Sequence, residues 1–124
     1  MRIQESAENY LESILILERK QNGIVRSIDI AGFLKITKPS VSIAMKNLRE
    51  NGYISMGEDG CISLLPPGRE IAERIYERHE LFKSWLEMLG VSPETAAVDA
   101  CRIEHVISAE SFEAIKKHVR NKRD

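Results

Sequence analysis

Apolar residues recur at helical spacing through most of this chain. Ala7, Tyr10, Leu11, Ile14 and Leu15 line one side of a helix predicted over residues 5–20, and all five are expected to be buried. Asn22 and Gly23 end that helix. Ile28, Ile30, Ala31 and Leu34 predict a short helix with Ser27 as its N-cap. Thr37 caps the next helix, which carries Pro39 in its first turn and runs to about residue 50. Val41, Ala44, Met45 and Leu48 form its apolar stripe, and Asn51 and Gly52 close it. The pattern then changes from helical to alternating. Residues 53–56 and 61–65 read as two strands joined through Asp59 and Gly60, a favoured hairpin turn. Pro66, Pro67 and Gly68 are expected to break the chain before a long helix over 69–89 with a broad apolar surface that includes Phe82 and Trp85. Gly90 closes it. Ser92, Pro93 and Glu94 open a helix to about residue 107, and Ser108 caps a last helix over 109–119 before a short polar end at 121–124.

The segment 38–50 has a second face. Pro39, Ser42, Ile43 and Lys46 lie opposite the apolar stripe, flanked by Asn47 and Arg49. Residues 35–49 hold Lys35, Lys38, Lys46 and Arg49 and no acid, whereas solvated helices usually mix both signs. Two short helices, a turn between them and a basic outer face with small side chains at its start resemble a helix-turn-helix. The hairpin that follows makes it a winged one. Glu58 and Asp59 at the wing tip are poorly suited to touching phosphate, and Cys61 is expected to be structural.

Composition narrows the class. The chain has 124 residues, 43% hydrophobic and 30% charged, which suits one soluble domain or two small lobes. No apolar run is long enough for a membrane span, and Met1, Arg2 and Ile3 do not open a leader. Two cysteines, Cys61 and Cys101, do not make a disulfide framework, so a cytoplasmic, reducing setting is expected. The net charge of −1 confines any nucleic-acid surface to a local patch.

The densest chemistry lies near the carboxyl end. On a helix, Cys101, Glu104 and His105 stand at i, i+3 and i+4, so a thiol, a carboxylate and an imidazole share one face. These are good ligands for transition metals. One helical turn rarely completes a coordination sphere. Further donors are available at His79 and at the pair Asn9 and Glu12. The plainer alternative also stands: a core cysteine, a solvated Glu-His pair and a solvated edge at Asn9 and Glu12.

The run from Asp99 to Ser108, with Arg78, His79, Glu80 and Leu81 upstream, resembles the diphtheria-toxin-repressor and manganese-transport-regulator family of metal-dependent transcriptional repressors. Residues 6–12, 28–31 and 39–42 fit the same pattern in the same order. The resemblance implies a mainly α fold: a winged helix-turn-helix over 1–66, then a helical dimerisation and metal-binding domain over 67–124. It implies the short form that lacks an SH3-like domain, a homodimer, and a palindromic double-stranded operator. Carried over by position, the metal ligands are Asn9, Glu12, His79, Cys101, Glu104 and His105. Manganese-sensing members carry Asp and Glu where this chain has Asn9 and Cys101, and iron-sensing members carry Met and Cys. A soft thiolate with a neutral amide favours Fe(II), with Co(II), Ni(II), Zn(II) or Mn(II) as alternatives. Lys83 stands where iron-sensing members use a carboxylate for a second metal. One ion per chain, or two sharing Glu104, both fit. The DNA contacts implied are Thr37, Lys38, Pro39, Ser40, Ser42, Ile43, Lys46 and Arg49.

Three rival readings remain at this point. A winged-helix regulator of a non-metal ligand would use His79 and His105 only structurally. A metal-dependent hydrolase would use the same donors to activate water, but the sequence offers no separate general base. A winged helix that binds protein would account for Glu58 and Asp59, against the basic run.

Overall fold

The computed structural model describes residues 5–123, so the readings made at Met1–Ile3 and at Asp124 lie outside the described residues. It divides into two compact units, Met1–Arg74 and Ile75–Asp124. The first contains α1 (Glu5–Lys20), α2 (Ser27–Leu34), α3 (Lys38–Glu50), β1 (Ile54–Met56), β2 (Ile62–Leu64) and the first turns of α4 (Pro66–Met88). The second contains the rest of α4 with α5 (Pro93–Val106) and α6 (Ala109–Arg123). None of the described helices is long and apolar enough to cross a membrane.

In the first unit, α1 packs on α2, α3 and β2. Leu11, Ile14 and Leu15 are buried as the spacing requires, while Ala7 and Tyr10 are only half-buried because they flank the stripe. Val41, Met45 and Leu48 of α3 face the same core. α2 does not start on a serine cap. Arg26 holds the cap position in extended backbone, and the Asp29 carboxylate accepts its backbone N–H at 2.9 Å. That is the acidic half of a capping box, and it displaces Ser27 into the first turn. Thr37 caps α3 as expected, its Oγ1 accepting from the Ser40 N–H at 3.3 Å. Between α2 and α3 the chain turns through Lys35 in the left-handed region, φ 57°.

The wing is a two-stranded antiparallel sheet with Ile54 opposite Leu64, Ser55 opposite Ser63 and Met56 opposite Ile62. Ile54, Ile62 and Leu64 are buried and the two serines exposed, the alternation expected of a sheet with one face on a core. The Ile62 N–H also donates to the Val25 carbonyl at 2.7 Å, which ties the wing to the segment before α2. At the tip, Arg26 Nη2 lies 3.6 Å from Asp59 Oδ2, and Arg26 Nε donates to the Asp59 carbonyl at 3.3 Å. The acid at the wing tip therefore carries its own counter-charge. Cys61 is half-buried between the wing turn and β2.

Pro66 and Pro67 do not break the chain; they begin α4. A first-turn residue has no intrahelical partner for its N–H, so proline loses nothing there. Gly68 then passes close to the wing. A Cβ at this position would stand 2.2 Å from the Tyr53 carbonyl oxygen, an oxygen that already accepts from the Leu65 N–H at 3.0 Å. Gly68→Ala is expected to lower unfolding free energy by about 1–3 kcal/mol in a urea titration, because backbone must move to admit it. An unchanged midpoint would refute that packing.

The second unit has its own small core. Phe82 of α4, Ala100 of α5 and Phe112 of α6 are buried together, with Leu81, Trp85, Ile103, Ile107 and Ile115 packed around them. The Phe82 and Phe112 rings meet edge to face, centroids 5.9 Å apart. α6 runs to Arg123, past the end expected at residue 119. Lys117 and Arg120 in its last turns favour that continuation, since cations suit a helix C-terminus.

Candidate metal centre

The end of α5 is where the ligating residue types gather. Ser92 caps this helix, its Oγ accepting from the Thr95 N–H at 3.3 Å, and Pro93 and Glu94 occupy the first turn. The start of the helix is therefore set by local chemistry, and its phase carries to the last turn. There Cys101, Glu104 and His105 bring one thiol sulfur, one carboxylate oxygen and one ring nitrogen within 4.8 Å of one another.

Glu104 is the centre of this arrangement and is fully buried, at 0% exposure. His79, from α4, places Nδ1 2.9 Å from Glu104 Oε2. The ring of His105 places Nε2 3.3 Å from Glu104 Oε1. Each carboxylate oxygen thus has an imidazole nitrogen beside it. The His105 side chain is 2% exposed, and that of His79 is 20% exposed. Withdrawing a carboxylate this far from water costs several kcal/mol unless positive charge or hydrogen bonds compensate. Two imidazoles supply part of that compensation, and a divalent cation would supply more. The thiol, carboxylate and imidazole gathered on α5 suit a first-row transition ion, and His79 meets the other oxygen of the same carboxylate.

Asn9 and Glu12 lie one turn apart on α1; Asn9 is half-buried, and Glu12 is buried at 5% exposure. The Asn9 main-chain carbonyl accepts from Ser13 Oγ at 2.8 Å. Lys83 is taken up by Glu87, Nζ to Oε1 3.2 Å, and contributes no donor atom for a metal. On α3, Thr37, Lys38, Pro39, Ser40, Ser42, Ile43, Lys46 and Arg49 are all exposed, opposite the buried Val41, Met45 and Leu48. Ile43 is 65% exposed, an apolar side chain held in solvent on an otherwise polar, basic face. Arg49 Nη1 lies 4.0 Å from Met56 Sδ, so its stem leans toward the wing.

Two arginines carry no clear signal in the sequence pattern. Arg26 meets a wing residue 33 positions away, and no local pattern signals such a pair. Arg78 stands next to His79 in sequence, and that adjacency was its only visible mark.

Comparison with known proteins establishes the family and the fold. A family model described as the iron dependent repressor N-terminal DNA binding domain matches residues 2–61. A second, described as the iron dependent repressor metal binding and dimerisation domain, matches residues 66–123. An uncharacterized HTH-type transcriptional regulator of Methanocaldococcus jannaschii is 32% identical over 115 residues, 92% of this chain and 92% of that one. The chain belongs to the iron-dependent repressor family. The resemblance to diphtheria-toxin-repressor regulators read from the motifs therefore holds, and the family is one of DNA-binding regulators, not enzymes. The transcriptional regulator MntR of Salmonella typhimurium is 36% identical to this repressor-family chain over 113 residues, 90% of this chain and 70% of that one. Among solved structures, a manganese-dependent transcriptional repressor in complex with manganese superposes with TM-score 0.82 at 22% identity, covering 91% of this chain and 52% of the other. That likeness establishes the fold, a winged helix-turn-helix followed by a helical domain. The chain spans about half the length of the solved structures it matches first.

Proposed function

We propose that this chain is a transcriptional repressor that binds a palindromic operator as a homodimer when loaded with a divalent transition metal. The observation that carries the reading is the fully buried Glu104 carboxylate with an imidazole nitrogen at each oxygen and the Cys101 thiol on the same face. His79, Cys101, Glu104 and His105 are the proposed ligands, with Glu12 and Asn9 completing the set on the strength of the family pattern. A bound ion supplies the positive charge that several buried donors need and so favours one conformational population over others. The proposed division of labour places DNA reading in residues 1–66 and dimerisation with metal sensing in 67–124. In a two-fold dimer, the spacing of two α3 helices must match half-sites set by whole turns of DNA. Ser42 and Ile43 are proposed to read base edges. Pro39 and Ser40 offer contacts to thymine methyls, and Thr37, Lys38, Lys46 and Arg49 hold phosphates. A cytoplasmic setting suits that task.

Fe(II) is the proposed physiological ion. Manganese is the metal named for several solved structures of this fold. Against it stands the donor chemistry: Cys101 is soft and Asn9 is neutral, and Mn(II) is the weakest competitor for such a set.

The test is operator binding by fluorescence anisotropy with Fe(II), Mn(II) or Zn(II), and with chelator. Chelator is expected to weaken binding by about 5–150-fold, the usual range of a coupling free energy. Affinity that ignores chelator would overturn the metal reading. Tighter coupling with Mn(II) than with Fe(II) would overturn only the choice of ion.

A further inference from the structure

Arg78 precedes His79 on α4, yet its guanidinium serves the end of α5. Nη1 donates to the Glu104 carbonyl at 3.1 Å and to the Ile107 carbonyl at 2.9 Å. The charge centre lies 5.3 Å from the Phe112 ring centroid, and the residue is 8% exposed. The two carbonyls belong to the terminus of α5, where main-chain oxygens lack intrahelical partners and a cation is favoured. The face of Phe112, from α6, adds a cation–π contact from the third helix of the unit.

The juxtaposition is specific. Arg78 and His79 are consecutive on α4. The carbonyl that Arg78 holds belongs to Glu104, the residue whose carboxylate meets His79, and the next residue is His105. The two hydrogen bonds from Nη1 thus set both the height and the rotation of the turn that carries two proposed ligands. Successive helical residues are about 100° apart, so a modest rotation of that turn would swing Glu104 away from His79.

We infer that Arg78 is a positioning residue of the metal centre: it locks the last turn of α5 against α4, so that Glu104 lies between His79 and His105 before any ion arrives. The inference rests on the metal reading above. It asks nothing of Arg78 as a ligand, since guanidinium has no lone pair to give. Its role is to preorganise the donors, and outer residues of this kind commonly govern metal affinity about 10–100-fold.

The experiment uses the whole chain and Co(II) as the probe. Calorimetry reports affinity, and visible and near-ultraviolet absorption report the coordination geometry and the Cys101 sulfur-to-cobalt charge transfer. Arg78→Met is expected to weaken Co(II) binding about 10–100-fold and to alter the ligand-field bands. Arg78→Lys keeps the charge but not the fork, so about three- to tenfold weaker binding is expected, with partial recovery of the spectrum. Ile115→Ala loosens the same helical core without removing a guanidinium hydrogen bond; it should lower the melting temperature but weaken Co(II) binding well under tenfold and leave the spectrum close to that of the wild type. Should Arg78→Met fail to fold by circular dichroism, Arg78→Lys decides on the same readouts. Wild-type affinity and spectrum in the arginine variants would overturn the inference alone, as would an equal loss in Ile115→Ala. A wild type that binds no Co(II) would overturn the metal reading and this inference with it.

Discussion

Glu104→Gln is expected to lose about two to three orders of magnitude in divalent-ion affinity while folding normally. Removing one charged partner from a buried pair costs about 3–5 kcal/mol, and each 1.4 kcal/mol is tenfold in affinity. Glutamine keeps the volume of the side chain and an oxygen able to accept from His79 or His105. What it removes is the formal charge that the cation would neutralise. Glu104 is fully buried, so water cannot screen or replace that charge. The ion-free variant should be no less stable than the wild type, because it no longer withdraws a carboxylate from water. Cobalt or iron titration followed by calorimetry reads the first effect and a thermal melt reads the second. A dissociation constant within threefold of the wild type would remove Glu104 from the centre.

The second large effect concerns α3. Replacing Lys38, Lys46 and Arg49 together by alanine removes six charges from a homodimer. Counterion release predicts a fall of about five in the slope of log affinity against log salt. Over the fourfold change from about 50 to 200 mM salt, a slope lower by about five means that the wild type loses about a thousandfold more affinity than the variant, so the variant's deficit is largest at low salt. The loss should be nearly uniform across operator sequences, since phosphate contacts position the protein without reading bases. All three side chains are exposed, so the variant should fold as the wild type does. Anisotropy at four salt concentrations measures the slope directly. A slope within one unit of the wild type would show that this face does not meet the DNA backbone.

Much of the first unit was legible because its signals are local. Thr37 at a cap, Pro39 in a first turn, the stripe of Val41, Met45 and Leu48, and the switch to alternation at Ile54 each act over a few residues. The errors share a cause. Pro66 and Pro67 read as breakers because proline is unwelcome in a helix interior, but a first turn is not an interior. Ser27 read as a cap because serine usually is one, yet Asp29 lies at the distance from which a carboxylate reaches back to the preceding N–H. In both cases two local rules competed, and the position of the helix start, which neither rule specifies, chose between them.

In the second unit, the i, i+3, i+4 spacing makes Cys101, Glu104 and His105 share a face wherever the helix lies. Nothing in that spacing places His79 at 2.9 Å from one oxygen of Glu104, or Arg78 on the carbonyls beneath it. Those distances follow from how α4 and α5 pack around Phe82, Ala100 and Phe112.

By itself, the sequence determined the helices, the wing, the basic outer face of α3, the triad on α5 and the family. Each depends on residue type and on separations of a few positions, the range over which backbone geometry is fixed. Only the tertiary structure decided that Glu104 is sealed from water between two imidazoles, that Arg78 holds the turn behind it, and that Arg26 offsets the acid of the wing. Burial and charge compensation depend on partners 25–33 residues away along the chain, and the packing of apolar cores brings those partners together.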